Sequence, residues 1–185
     1  MTKRPTQIST RLVVRPGSCA VVLALALSLL VGGCGGDALD VFSSKSDQRF
    51  AGEQEEALSA HALTNQERAG AGVPPVIWDA PAAQVAYEHS LYQRSIGTMT
   101  HAGPDGFGVS TRMDAHGVPY VLVGENVGLG ARDGAGRIVQ AWMDSEAHRR
   151  NLLYSEWTHM GLGVHFVPEG PNAGPWWTQV FYYPE

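Results

Sequence analysis

The chain of 185 residues contains two cysteines, Cys19 and Cys34, and none after them. Whatever folds beyond position 34 therefore has no disulfide, no thiolate zinc site and no cysteine nucleophile, and must be held by its own core. About 135 residues follow the tether described below, enough to build one domain around such a core.

The first 18 residues are basic, with Lys3, Arg4, Arg11 and Arg15 and no acid. An apolar run from Cys19 to Val31 follows. It is too short to span a bilayer comfortably and has the length of a signal-peptide core. The run ends in VGGC, Val31 to Cys34, which resembles the lipobox at which bacterial lipoprotein precursors are diacylated and cleaved. That resemblance implies a signal peptide over 1–33 and acyl chains on Cys34. The small, polar stretch that follows reads as a tether, so that 34–49 is lipidated cysteine plus linker and 50–185 is the folded domain. Two or more acyl chains anchor a protein stably where one does not. Gly35 after that cysteine lacks the aspartate of enteric-type inner-membrane retention, which points to the outer membrane if the cell has one. Charge supports an extracytoplasmic partner other than nucleic acid. The precursor has 13 basic and 18 acidic residues, and removal of the four basic residues named above leaves 9 against 18. A surface at −9 disfavours nucleic acid and polybasic docking on anionic lipid.

Periodicity places helices first and strands last. The segment from Phe50 to Arg68 reads as a helix with Leu58, Ala62 and Leu63 on one stripe and acids in its early turns. Val73-Pro74-Pro75 enforces an extended exit. Asp79 is the expected N-cap of a second helix, with Pro81 in its first turn, an apolar face of Ala82, Val85, Ala86, His89 and Ile96, and Gly97 as its stop. THAGPDGFG reads as a loop, Ser110 to His116 as a short helix, and Arg137 to Ser145 as a further helix carrying Ile138, Val139 and Trp142. Met160, Leu162, Val164 and Phe166 alternate with Gly161, Gly163 and His165, as in a half-buried strand. PEGPNAGP reads as the turn before a returning strand, WWTQVFYY.

The chemistry narrows by elimination. Lys45, in the tether, is the only lysine left after cleavage, so the domain has neither a phosphate-loop lysine nor a Schiff-base lysine. No G-x-S-x-G elbow and no H-E-x-x-H occurs. What remains are seven histidines and the acids. His101 opens the Gly/Pro/Asp loop after the second helix, and His148 lies just past the helix bearing Trp142, in DSEAHRRNLL. Glu125 sits in VLVGENVGLG, where a carboxylate is out of place unless something pairs with it. It either accepts backbone N–H groups of the glycine loop or faces the histidines. Two imidazoles and a carboxylate suit Zn²⁺ with an open water position, or proton transfer near pH 7 without metal. His89 reads as a core histidine, His61 and His116 as solvated, and His159 and His165 as adjoining a strand. Arg149 and Arg150 read as surface charges, and Asn151 as a loop clamp.

In order along the chain, NQERAGAGVPP, AYEHS, THAGPDG, GENVGLG, WMDSEAHRRNLL, MGLGV and WWTQVF resemble the motifs of the CAP superfamily, the cysteine-rich secretory protein, antigen 5 and pathogenesis-related 1 proteins, in their bacterial secreted form. They cover nearly the whole domain. The resemblance implies an α+β fold, a three-layer α-β-α sandwich with a small, mainly antiparallel sheet. It also implies a cleft lined by two histidines and two acids that binds zinc in some members. His101, Glu125 and His148 stand at three of those positions. The second acid normally belongs to W-x-x-E. Here Ser145 stands at that distance from Trp142, with Asp144 one residue early and Glu146 one late, so Glu146 is the remaining candidate. The expected function is a metal- or ligand-binding module facing an envelope lipid, glycan or peptide. A zinc-dependent hydrolase with Glu125 as ligand or base, and a structural domain with a vestigial cleft, are the alternatives.

Overall fold

The computed structural model describes residues 45–130, 134–170 and 172–185, with side chains from residue 51 onward. The expected signal peptide and Cys34 lie outside them. Helix α1 spans Lys45–Gly70, α2 Ala80–Ile96, α3 Val109–Ala115, α4 Ala135–Asp144 and α5 Glu146–Leu152. Strands are β1 Ile77–Trp78, β2 Leu122–Leu129, β3 His159–Val167 and β4 Gly174–Tyr183. They form one sheet in the order β1-β3-β4-β2, antiparallel except for the β1–β3 pair.

Alternation along the strands sorts side chains to two faces. On one face Met160, Leu162, Val164, Trp177 and Phe181 pack with Ala57 and Ala60 of α1, Ile138, Val139 and Trp142 of α4 and Leu152 of α5. On the other, Val180 and Tyr182 pack with Ala82, Val85 and Ala86 of α2 and Met113 of α3. The result is the expected α+β sandwich of three layers.

Several local signals are where the sequence places them. Asp79 caps α2, its Oδ1 accepting the Ala82 N–H at 2.7 Å. Gly97 closes the helix in the left-handed conformation at φ 67°, where a β-carbon would be strained.

Others differ. The buried stripe of α1 runs through Glu53, Ala57, Ala60, Thr64 and Arg68, while Leu58 is 43% exposed. Three of those five are polar, and each is satisfied: Glu53 accepts from Tyr87 Oη at 3.0 Å and the Phe166 N–H at 2.8 Å, and Thr64 Oγ1 accepts from Gln179 Nε2 at 3.0 Å. Arg68 is bonded to four carbonyls, described below. Burial raises the Glu53 carboxyl, but His165, the Phe166 N–H and Tyr87 together outweigh it and hold the group below the usual carboxylate range.

In α2, Gln93 is buried and Ile96 is exposed. The expected half-buried β3 is covered on both faces, because α2 lies directly over Gly161 and Gly163. His61 is held rather than solvated, with Nε2 2.9 Å from the Val76 carbonyl. The helix bearing Trp142 also does not run into a loop. Ser145, at φ −93° and ψ 120°, ends α4 and starts α5, so His148 sits on a second short helix.

Candidate functional site

Strand β2 is the edge of the sheet, and its consecutive residues Glu125 and Asn126 face opposite ways. Glu125 lies opposite Val180, on the α2 side, and Asn126 opposite Gln179, on the α1 side. Each brings in one of the expected histidines.

On the α2 side the Glu125 side chain is 3% exposed. His101 Nδ1 donates to its Oε1 at 2.8 Å, and Arg112 Nη2 donates to its Oε2. Arg112 also donates from Nη1 to the His101 carbonyl at 3.0 Å. One guanidinium thus joins the carboxylate to the backbone of the residue that the carboxylate orients. Buried His89 stands behind them, with Nε2 4.0 Å from Glu125 Oε1. Charge-assisted bonds of this kind are roughly twice as strong as neutral ones, and they are what allows a carboxylate to be buried here.

On the α1 side Asn126 is 1% exposed and fully engaged. Its Nδ2 donates to the His148 carbonyl at 3.3 Å and to Gln179 Oε1 at 3.0 Å. Its Oδ1 accepts from Asn151 Nδ2 at 3.0 Å, confirming Asn151 as a clamp. Gly124, on the same face, makes room: a β-carbon there would stand 2.7 Å from Asn151 Oδ1 and from the Trp157 ring. The edge strand therefore fixes both His101, through a side chain, and His148, through its backbone.

The two rings differ in electrostatics. The bond to Glu125 raises the pKa of His101 above its ordinary value despite burial, which opposes it. Burial, and then the nearby charge of His101, lower that of His148. His89 is lowered as well, first by burial. The site thus pairs an imidazole whose charged form is favoured with one whose neutral form is favoured. In a histidine titration followed by NMR, His101 is expected to titrate above 6.5 and His148 below it. The reverse order would sink this picture. For stability the two act in opposite senses. The contribution of His101 is complete below its unfolded pKa and is lost as pH rises through its folded one. His148 and His89 cost stability as pH falls through their unfolded pKa, because only the unfolded chain takes up their protons freely.

The remaining candidates lie elsewhere. Glu146 is the first residue of α5, its side chain 77% exposed and 3.4 Å from Arg150 Nη1. Asp144 accepts from Gln140 on the exposed side of α4. The break at Ser145 puts Glu146 on a different helix from Trp142. His116 pairs with Glu88 at 3.1 Å, and His165 lies 3.2 Å from Glu53 on the far side of the domain.

Among the described residues, no group of three or more His, Cys, Asp or Glu side chains is placed to hold a metal ion. The donors themselves show why. Both Glu125 oxygens are taken, one of them by a guanidinium, which puts a positive charge where a ligated cation would have to sit. This arrangement does not fit a zinc ion held by His101, Glu125 and His148 together. Arg112 and His89 are the members that sequence reasoning missed. Arg112 lies in a short helix thirteen residues from Glu125, with no motif linking the two.

An α-β-α sandwich whose edge strand carries a buried acid bonded to a loop histidine and an arginine describes the fold and site, and the family model supplies the class. The model of the cysteine-rich secretory protein family, CAP, matches residues 61–181, and the chain belongs to that family. Two curated relatives come from Bacillus subtilis. YlbC, described as an uncharacterized membrane protein, is 34% identical over 102 residues, which are 55% of this chain and 29% of YlbC. YkwD is 32% identical over 119 residues, 64% of this chain and 44% of YkwD. The chain thus spans less than half the length of either. Among solved structures, an extracellular protein containing an SCP domain from Bacillus anthracis superposes with a TM-score of 0.68 at 27% identity, covering 76% of this chain and 44% of that one. An outer surface protein of Borrelia burgdorferi shares the fold, with a TM-score of 0.63 at 18% identity over 71% of this chain and 94% of that one.

Proposed function

We propose that this protein is a lipid-anchored CAP module of the bacterial envelope that binds a ligand at the His101–His148 edge without turning it over. The observation that carries the reading is the state of Glu125, whose oxygens are both taken by His101 and Arg112. A carboxylate so engaged orients the imidazole instead of acting as ligand or base. The pattern is that of a buried acid fixing a histidine tautomer, which leaves the other ring nitrogen for the partner. His101, with a side chain 59% exposed, then leaves Nε2 for the partner, a donor when the ring is protonated. Beside it, neutral His148 offers an acceptor. The fitting ligand group is an anion or a carbonyl of an envelope lipid, glycan or peptide. Location rests on the lipobox-like VGGC at Cys34 and on the extracellular SCP-domain relative.

The experiment uses the full chain in detergent, with phosphate, acetate and zinc as probes. The two anions should shift the His101 and His148 resonances saturably, and His101→Ala should abolish the effect. Zinc should show no one-to-one site tighter than about micromolar by calorimetry, roughly −8 kcal/mol. Tight zinc binding lost in His148→Ala would instead restore the metal reading and justify an activity screen. Cys34→Ser should move the chain from the membrane fraction to the soluble one. Retention in the membrane would end the acyl-anchor part of the proposal.

A further inference from the structure

The loop that delivers His101 is held by α2 in a way that the site's own residues do not explain. His89 and Gln93 are four residues apart and share one face of that helix. His89 Nε2 donates to the Thr100 carbonyl at 2.7 Å. The Thr100 N–H in turn donates to Gln93 Oε1 at 3.2 Å. Both backbone groups of the residue before His101 are therefore gripped by one helix, and the gripped carbonyl belongs to the peptide plane that leads into His101. The grip is itself anchored. Gln93 Nε2 donates to Thr178 Oγ1 of β4 at 3.0 Å, and the Thr178 hydroxyl is in turn 2.9 Å from Ser90 Oγ.

We propose that His89 and Gln93 are positioning residues, which set the direction of His101 toward Glu125 by clasping Thr100. Two observations favour this over simple core filling. His89 is 1% exposed, yet its Nδ1 has no hydrogen-bond partner among the described residues. An apolar side chain of similar size would avoid that orphaned atom, so the histidine is of use for what Nε2 does. A hydrogen bond from His89 to the carboxylate is ruled out by distance, since Nε2 stands 4.0 Å from Glu125 Oε1 and already donates to Thr100. His89 therefore acts through the Thr100 peptide, as an oriented group supporting another oriented group. For its biological meaning the clasp rests on the reading of the His101–His148 edge as a binding site, but its test does not.

The test is the tautomer of His101 in the full chain, read from ¹⁵N-histidine spectra at alkaline pH, where the ring is neutral. In the wild type the proton should sit on Nδ1, facing Glu125. His89→Gln retains an N–H that can reach the Thr100 carbonyl and should keep that signature. His89→Phe should lose it, and Gln93→Met should weaken it to a mixture of tautomers. Val164→Ala, a core truncation on the opposite face of the sheet, should lower stability and leave the signature untouched. An unchanged Nδ1–H signature in both His89→Phe and Gln93→Met overturns the proposal. So does its equal loss in Val164→Ala. If His89→Phe does not fold, Gln93→Met against His89→Gln decides alone. Failure of the anion probes with the wild-type signature intact would count against the binding site and not against the clasp.

Discussion

Arg68→Ala is expected to lose about 3–5 kcal/mol of folding stability, a large part of what a domain of this size possesses. The Arg68 side chain is fully buried, and it is one of the largest such groups in the protein. Its Nε donates to the Pro74 carbonyl at 2.8 Å. Its Nη1 donates to the Leu152 and Tyr154 carbonyls at 2.8 and 3.0 Å, and its Nη2 to the Trp157 carbonyl at 3.3 Å. These bonds tie the end of α1 to the chain leaving α5. Burial lowers the pKa of the guanidinium, since leaving water disfavours its charged form. Truncation removes all four bonds, strands carbonyls that each cost about 1–3 kcal/mol when buried unpaired, and opens a cavity. Arg68→Met separates these effects, since it fills most of the volume and supplies no donor. If the bonds dominate, urea denaturation will show Arg68→Met nearly as unstable as Arg68→Ala. A loss below about 1 kcal/mol in both would show that water replaces the guanidinium at little cost.

Arg68 also marks where sequence reading stops. Periodicity and capping placed α2, α4, β3 and β4 because those elements bury apolar residues at regular spacing. On α1 the rule selected Leu58, Ala62 and Leu63; Leu63 does pack, partly buried, against the core, but the fully buried stripe carries Glu53, Thr64 and Arg68 beside Ala57 and Ala60. A polar residue is buried when its partners wait in the fold, and partners such as the Leu152 carbonyl or the Phe166 N–H are more than eighty residues away. The short β1 and the break at Ser145 escaped for a related reason. Two residues pairing with β3 carry no period of their own, and a helix break needs only one extended residue. His101 and Glu125 were each legible as candidates, because a loop histidine and a carboxylate in an apolar, glycine-rich stretch are both out of place locally, though their pairing stayed one of two alternatives. Arg112 was not, since an arginine in a polar helix looks like any solvated charge.

The question raised by Glu125 resolves into geometry that neither open alternative described fully. The carboxylate faces His101, as the pairing alternative required, but Arg112 completes it. A carboxylate between an imidazole and a guanidinium carries less net demand for a further cation than one between two imidazoles. Charge balance at Glu125 thus weighs against a further cation there, beside the absence of a second acid at the site among the described residues.

The second large effect concerns glycine. Gly163→Ala should cost about 3 kcal/mol or more, the upper end of what overpacking a core does. A β-carbon at Gly163 would stand 2.2 Å from the Tyr87 nitrogen, and one at Gly161 would stand 2.1 Å from the Ala83 nitrogen. Both obstacles are helix backbone, which cannot rotate aside as a side chain can. The two contacts repeat because the spacings match: two residues of strand advance about 6.6 Å, and four residues of helix about 6 Å. α2 thus lies along β3 in a groove made by the two glycines, close enough for Ser90 Oγ to donate to the Gly163 carbonyl at 3.1 Å. A methyl group must push the helix outward by roughly 1 Å to reach ordinary contact, and His89 and Gln93 travel with it. Gly163→Ala should therefore disturb His101 as well as stability. Gly136→Ala is the matched comparison. Gly136 lies in α4 with nothing among the described residues within 4 Å of its β-carbon position, so the same substitution should stabilise by about 0.5–1 kcal/mol through helix propensity. Opposite signs for one chemical change are the expected result in thermal or urea denaturation. Equal stabilities would mean that α2 rides on the sheet with slack that the close backbone contacts do not show.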